Sequence, residues 1–159
     1  MADTMRWRYG ETNPIVLPVD SATEIEIGDL VWLDTDDAKP ASDVSDQLSE
    51  AANQEYFHDR FAGVAMQRSG SGDTDAIRVA TTGVFEFACA SGTFEVGDLI
   101  GATEAAGGTE LEDQTTVAVG SGNENRAIGR CTRRVASADT RVLVDVVSTV
   151  MRGGPQAAA

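Results

Sequence analysis

The segment Glu26-Ile27-Gly28-Asp29-Leu30-Val31 recurs as Glu95-Val96-Gly97-Asp98-Leu99-Ile100, an offset of 69 residues from Gly28 to Gly97. Two further landmarks follow in the same order. Ala62-Gly63-Val64 is echoed by Ile128-Gly129-Arg130, and Asp75-Ala76-Ile77-Arg78-Val79 by Asp139-Thr140-Arg141-Val142-Leu143. Ordered self-similarity points to one supersecondary unit used twice, and a chain of 159 residues has room for little besides the two copies. In each Gly-Asp pair the glycine can take a positive φ and the aspartate can bind nearby backbone, turning the chain tightly into the next strand. Gly28, Asp29, Gly63, Gly83, Gly97, Asp98 and Gly129 are therefore read as structural turn residues, in preference to a catalytic pairing of Asp29 with Asp98.

The unit is a β-unit. Short runs rich in Val, Ile, Phe and Thr at 15–19, 30–33, 61–66, 77–80, 84–88, 98–100, 115–119, 127–131 and 142–147 are separated by turn clusters such as Ser69-Gly70-Ser71-Gly72-Asp73. Apolar and polar residues alternate in Val84-Phe85-Glu86-Phe87 and Thr140–Val146, the period of a half-buried antiparallel sheet. The expected fold is all-β, a compact β-barrel or sandwich of two similar halves. One polar stretch, 34–60, breaks the pattern: Val44, Leu48, Ala52 and Tyr56 recur every fourth residue, continued by Phe57 and Phe61, which predicts a helical insertion. The expected layout is an N-terminal arm (1–16), a barrel domain (17–150) and a flexible tail (151–159).

Composition narrows the partners. Twelve basic residues face 26 acidic ones, a net charge of −14, and phosphate backbones or anionic membranes repel such a chain. Arginine supplies all the basic residues but Lys39. That bias fits hydration in strong salt and a GC-rich genome equally well. No apolar run approaches the ~18 residues of a membrane span, and Met1-Ala2-Asp3-Thr4 opens no signal peptide, so neither membrane insertion nor ordinary export is expected.

Reactive residue types are sparse. His58, the sole histidine, sits beside Asp59 and Arg60 and is read as a surface residue rather than a triad base or zinc ligand. Cys89 and Cys131 lie far apart without metal-ligand spacing and read as buried thiols. Lys39 follows no glycine-rich loop, which excludes a P-loop. Asp34-Thr35-Asp36-Asp37 lacks the central glycine and distal glutamate of a calcium loop. No catalytic, cofactor or metal residue is expected.

Met5-Arg6-Trp7-Arg8-Tyr9-Gly10 departs from this background by concentrating arginines and aromatics, residue types enriched at interface hot spots. Pro14 and Pro18 flank the strand that follows, marking an edge or a free arm. Arg6, Trp7, Arg8, Tyr9, Ile15 and Val16 are the candidate contact residues of an arm that packs on a partner, the alternative being an arm folded back on its own barrel. A second cluster, Arg130, Arg133 and Arg134, could meet an acidic partner or serve locally.

The ordered landmarks resemble the small tailed-virus capsid decoration, or cement, family, once an uncharacterised domain and sometimes labelled a recombinase. They are Gly10 before Ile15-Val16-Leu17, the Gly28-Asp29 turn, Gly63-Val64-Ala65, Val79-Ala80-Thr81-Thr82-Gly83-Val84-Phe85, the Gly97-Asp98 turn, Ile128-Gly129, and a closing strand at 142–146. The resemblance spans residues 10–147. It implies a structural, non-enzymatic virion protein on the outer surface of an icosahedral HK97-type capsid, without cofactor, bridging major capsid protein subunits and usually forming a homotrimer. The missing P-loop conflicts with the recombinase label. The rival expectation is a virion-surface adhesion or carbohydrate-binding β-module using Trp7, Tyr9, Trp32 and Tyr56.

Overall fold

Eleven β-strands, two α-helices and two short 3-10 helices account for the regular structure of residues 3–157, the part of the chain that the computed structural model describes. The first half contributes β2 (Ile15–Leu17), β3 (Leu30–Asp34), β4 (Asp37–Pro40), β5 (Phe61–Ala65) and β6 (Ile77–Ala80). They form one antiparallel sheet in the order β2-β6-β5-β3-β4. The second half contributes β7 (Thr82–Phe94), β8 (Leu99–Glu104), β9 (Leu111–Ala118), β10 (Gly129–Cys131) and β11 (Val135–Val147). Their order is β7-β11-β10-β8-β9, and a parallel pairing of β7 with β9 closes them into a five-stranded barrel. Strand for strand, the two orders are the same. The first sheet curls similarly, the Ala38 N–H reaching the Pro18 carbonyl at 2.9 Å to draw β4 toward the end of β2. The fold is all-β and built of two similar halves.

The repeated motif does the same work in both. The Glu26 N–H donates to Asp29 Oδ2 and the Glu95 N–H to Asp98 Oδ2, each at 2.8 Å. Gly28 and Gly97 turn at φ 99° and 93°, where a side chain would be strained. Each also donates its N–H across the sheet, Gly28 to Ala65 and Gly97 to Cys131. Gly63, Gly83 and Gly129, expected at turns, instead lie within strands. Gly63 faces Val31 and Gly129 faces Ile100. A methyl group there would collide with the Ala80 carbonyl in the first half and the Asp145 carbonyl in the second. These equivalent approaches place the third landmark one residue from its apparent alignment. Ile77 and Val79 correspond to Val142 and Val144, all four buried, whereas pairing Ile77 with Arg141 would turn the strand inside out.

Inward residues of the first sheet, including Val31, Ile77 and Val79, form one apolar cluster with Ile25. The barrel interior, with Phe85, Phe87, Ile100, Val142 and Val144, belongs to a larger cluster that also takes in Leu30, Trp32, Val64 and Ala80 of the first half. That shared core joins the halves.

The 34–60 stretch differs from its expected form. Asp34–Asp37 is the hairpin between β3 and β4. Val44 is buried outside any α-helix, and Leu48 is 90% exposed at φ 74°. Helix α1 (Glu50–Arg60) starts only after Ser49, whose side chain accepts the Ala52 N–H. His58 is buried, its Nδ1 donating to the Ala127 carbonyl at 2.7 Å, so it anchors α1 to the second half rather than facing solvent. The tail is not free either. Helix α2 (Thr149–Arg152) leads into buried Gly154 and Pro155, and Arg130 Nη2 donates to the Gln156 carbonyl. Residues 1–2 and 158–159 of the expected arm and tail lie outside the described residues.

Gly129→Ala is expected to cost about 3 kcal/mol, because the methyl group meets backbone that cannot move aside. Gly122→Ala, in open space at φ 81°, should cost only about 1 kcal/mol of backbone strain. Denaturant melts of the two variants measure the difference.

Candidate functional site

Residues 3–9 stitch the two halves together before the first sheet begins. Asp3 Oδ1 accepts the Ile27 N–H, and the Thr4 N–H donates to the Ile27 carbonyl. Strand β1 (Trp7–Tyr9) then pairs antiparallel with β7 and becomes the edge of the barrel sheet. Ile15 and Val16, in β2, pair with β6. The expected arm is thus two edge strands of its own fold, the alternative reading from the sequence. Backbone hydrogen bonds and the Arg6 junction outweigh the entropy of a free arm.

Arg6 turns inward. Its Nε donates to Gln114 Oε1 at 2.7 Å and its Nη1 to the Glu86 carbonyl at 3.1 Å. Gln114, fully buried on β9, donates from Nε2 to Asp29 Oδ1 at 2.8 Å. Burial pushes the Asp29 carboxyl above its ordinary range, against hydrogen bonds from the Glu26 N–H and Gln114 that lower it. Beside it, Asp113 accepts the Ser42 N–H at 2.7 Å and the Ser42 hydroxyl at 3.1 Å, bridging the halves again. Burial, with Asp29 and Asp43 nearby, raises Asp113 to about 6, despite the hydrogen bonds from Ser42.

Arg8 turns outward. Its guanidinium donates to the Met5 and Trp7 carbonyls on the outer side of β1 and pairs with Glu86 at 3.2 Å. It thereby blunts an edge that would otherwise offer open carbonyls. Trp7 and Tyr9 are 40% and 53% exposed, and a bulge between them sets Trp7 opposite Phe85 and Tyr9 opposite Val84. The Trp7 indole is fixed by its Nε1–H to the Gly10 carbonyl at 2.9 Å. Met5 and Val16 add further exposed apolar surface. Of the six contact candidates, Trp7, Arg8, Tyr9 and Val16 are exposed, Ile15 packs on the first-half core, and Arg6 belongs to the junction.

The other candidates separate. Trp32 is buried with its indole N–H on the Pro40 carbonyl, edge-on to Tyr56, whose ring is covered by Arg60. Neither joins Trp7 and Tyr9 in an open platform. Both Gly-Asp carboxylates bind their own turns. Cys89 and Cys131 are buried free thiols, and burial raises both above the ordinary thiol range. Among the described residues no group of His, Cys, Asp and Glu could hold a metal ion, and no helix is long and apolar enough to cross a membrane. The chain matches no protein-family model and no curated protein.

The Asp113 shift sets a pH dependence. Its folded value lies above the ordinary value of 3.8. The stability contributed by its proton is complete below about pH 4 and is lost as the pH rises through about 6. The melting temperature should rise on acidification from pH 7.5 to 5. The rise should be smaller in Asp113→Asn, which keeps an acceptor for the Ser42 N–H; scanning calorimetry across that range is the test.

Proposed function

We propose that the chain is a structural decoration protein. It binds the exterior of an icosahedral HK97-type capsid and stabilises it by bridging neighbouring major capsid protein subunits, without catalysis. The observation that carries this reading is the rigid presentation of Trp7 and Tyr9, with Met5 beside them, on edge strand β1. Large aromatics held in place lose little entropy on docking and are over-represented among hot spots. Two halves locked through one shared core give the stiffness a clamp needs, and a net charge of −14 keeps its remaining surface hydrated. Fixed β1 changes the expected mode of contact. The shell would meet the side chains of a formed edge strand, because Arg8 already occupies its outer carbonyls. Homotrimer formation at threefold positions of the virion surface belongs to the same proposal.

Co-sedimentation with undecorated expanded capsids is the test, run in low and in multimolar salt. Saturable binding at a fixed ratio to the capsid protein is the expected result. Trp7→Ala with Tyr9→Ala should weaken it at least about tenfold while leaving the melting temperature nearly unchanged. Retention in strong salt would assign the contact to apolar and backbone groups rather than screened charge. Absence of binding by the folded chain would overturn the proposal.

A further inference from the structure

Arginine is unevenly spread over this acidic molecule. Arg8, Arg133, Arg134 and Arg141 gather on the outer face of β7 and β11, and all but Arg8 line a depression of about 250 Å³ with Glu86 and Asp139. Arg6 approaches from below through the Glu86 carbonyl. The sequence grouped Arg133 and Arg134 with Arg130, but Arg130 faces away, binding the Gly97 and Gln156 carbonyls.

Two carboxylates show what these guanidiniums accept. Glu86 Oε1 lies 3.2 Å from both Arg8 and Arg141. Burial pushes the Glu86 carboxyl up, but the hydrogen bonds from Arg141 and Arg8 prevail and hold it below its ordinary range. Glu95 accepts from Arg134 Nε through both oxygens, at 2.9 and 3.1 Å. Donors are left over. A guanidinium carries five N–H groups in a fixed fork. Arg141 uses only Nη1 and Arg134 only Nε in these pairs, and Arg133 has no ion pair among the described residues. Arg134 and Arg141 keep 64% and 69% of their side chains in water.

We propose that this depression is a docking site for a short acidic segment of a partner protein, whose carboxylates take up the unused forks of Arg133, Arg134 and Arg141. Its size suits one or two carboxylate side chains rather than a folded domain. Charge complementarity is local. A phosphate polymer that reached the arginines would continue over a surface bearing most of the −14 net charge and be repelled, whereas a short peptide ends inside the patch. The depression is built by β7, β11 and the residues just before β11, and neither Trp7 nor Tyr9 lines it.

Fluorescence anisotropy of a short labelled glutamate-rich peptide, titrated with the full chain at low salt, tests the site. Saturable binding is expected, with none for the glutamine counterpart. Arg133→Glu with Arg134→Glu should weaken it at least about tenfold. Lysine at both positions should recover only part of the affinity, because an ammonium lacks the fork. Arg68→Glu with Arg78→Glu makes the same charge change on exposed first-half residues and should leave binding within about twofold. Arg133 makes no ion pair among the described residues and that of Arg134 is exposed, so the variants should melt close to the parent. No saturation by the full chain, an equal loss in the Arg68/Arg78 control, or equally tight binding of a short DNA single strand would each overturn the proposal.

Discussion

Asp29 brings a carboxylate into the junction between the halves and must find partners there, because a buried charge without hydrogen bonds is too costly to keep. It gives one oxygen to its own turn and the other to Gln114, and Gln114 passes the chain of hydrogen bonds on to Arg6. Three elements distant in sequence are fixed by one relay: the first-half turn, barrel strand β9, and the segment leading into β1. Asp98 makes the same turn in the second half but lies partly in solvent, and its other oxygen has no such duty. One motif thus serves in two environments, and only the buried copy sets how the halves sit together. The segment that presents Trp7 and Tyr9 is held by that copy.

Matching faces of the two halves meet opposite fates. In the first half Leu30, Val64 and Ala80 are buried in the shared core. Their counterparts in the second half are Leu99, Arg130 and Asp145, since Leu30 faces Val64 as Leu99 faces Arg130, and Val64 faces Ala80 as Arg130 faces Asp145. A contact that uses one face of a unit without its equivalent on the partner is heterologous and could propagate through further copies. Replacing two apolar residues with an arginine and an aspartate stops that growth, as polar outer faces do at the ends of repeat arrays. The C-terminal segment completes the cap: Gly154 and Pro155 are buried, and the Gln156 carbonyl is bound by Arg130.

The repeat, the alternation and the turn chemistry made the two-part β-fold legible, because each is a local pattern that the backbone obeys directly. Strands β1 and β4 were not legible. Trp-Arg-Tyr and Asp-Ala-Lys-Pro are too short and too polar to read as strands by themselves, and both become strands because a neighbouring edge supplies hydrogen bonds. The stripe Val44, Leu48, Ala52 and Tyr56 is helical in its second half only: Ala52 and Tyr56 lie on α1, whereas Val44 and Leu48 belong to the bent chain before it, which packs the first and exposes the second. Ser49, the cap that starts α1, is the better guide to where the helix begins. His58 looked exposed from its charged neighbours, yet in a helix Asp59 and Arg60 point elsewhere, and the imidazole turns toward Ala127.

The candidate site was half legible, for a reason set by strand geometry. Arg6-Trp7-Arg8-Tyr9 reads as one mixed cluster along the sequence, but edge pairing with a bulge sends its members to different surroundings. Arg6 turns in to Gln114 and the Glu86 carbonyl and Arg8 turns out to the Glu86 carboxylate, locking the strand and covering its open edge, while both aromatics remain exposed. Anchoring by the arginines and exposure of the aromatics are therefore separate within one short segment. For the contact proposed above, the immobility conferred by the arginines would matter, since side chains on a free arm would surrender their freedom on every binding event.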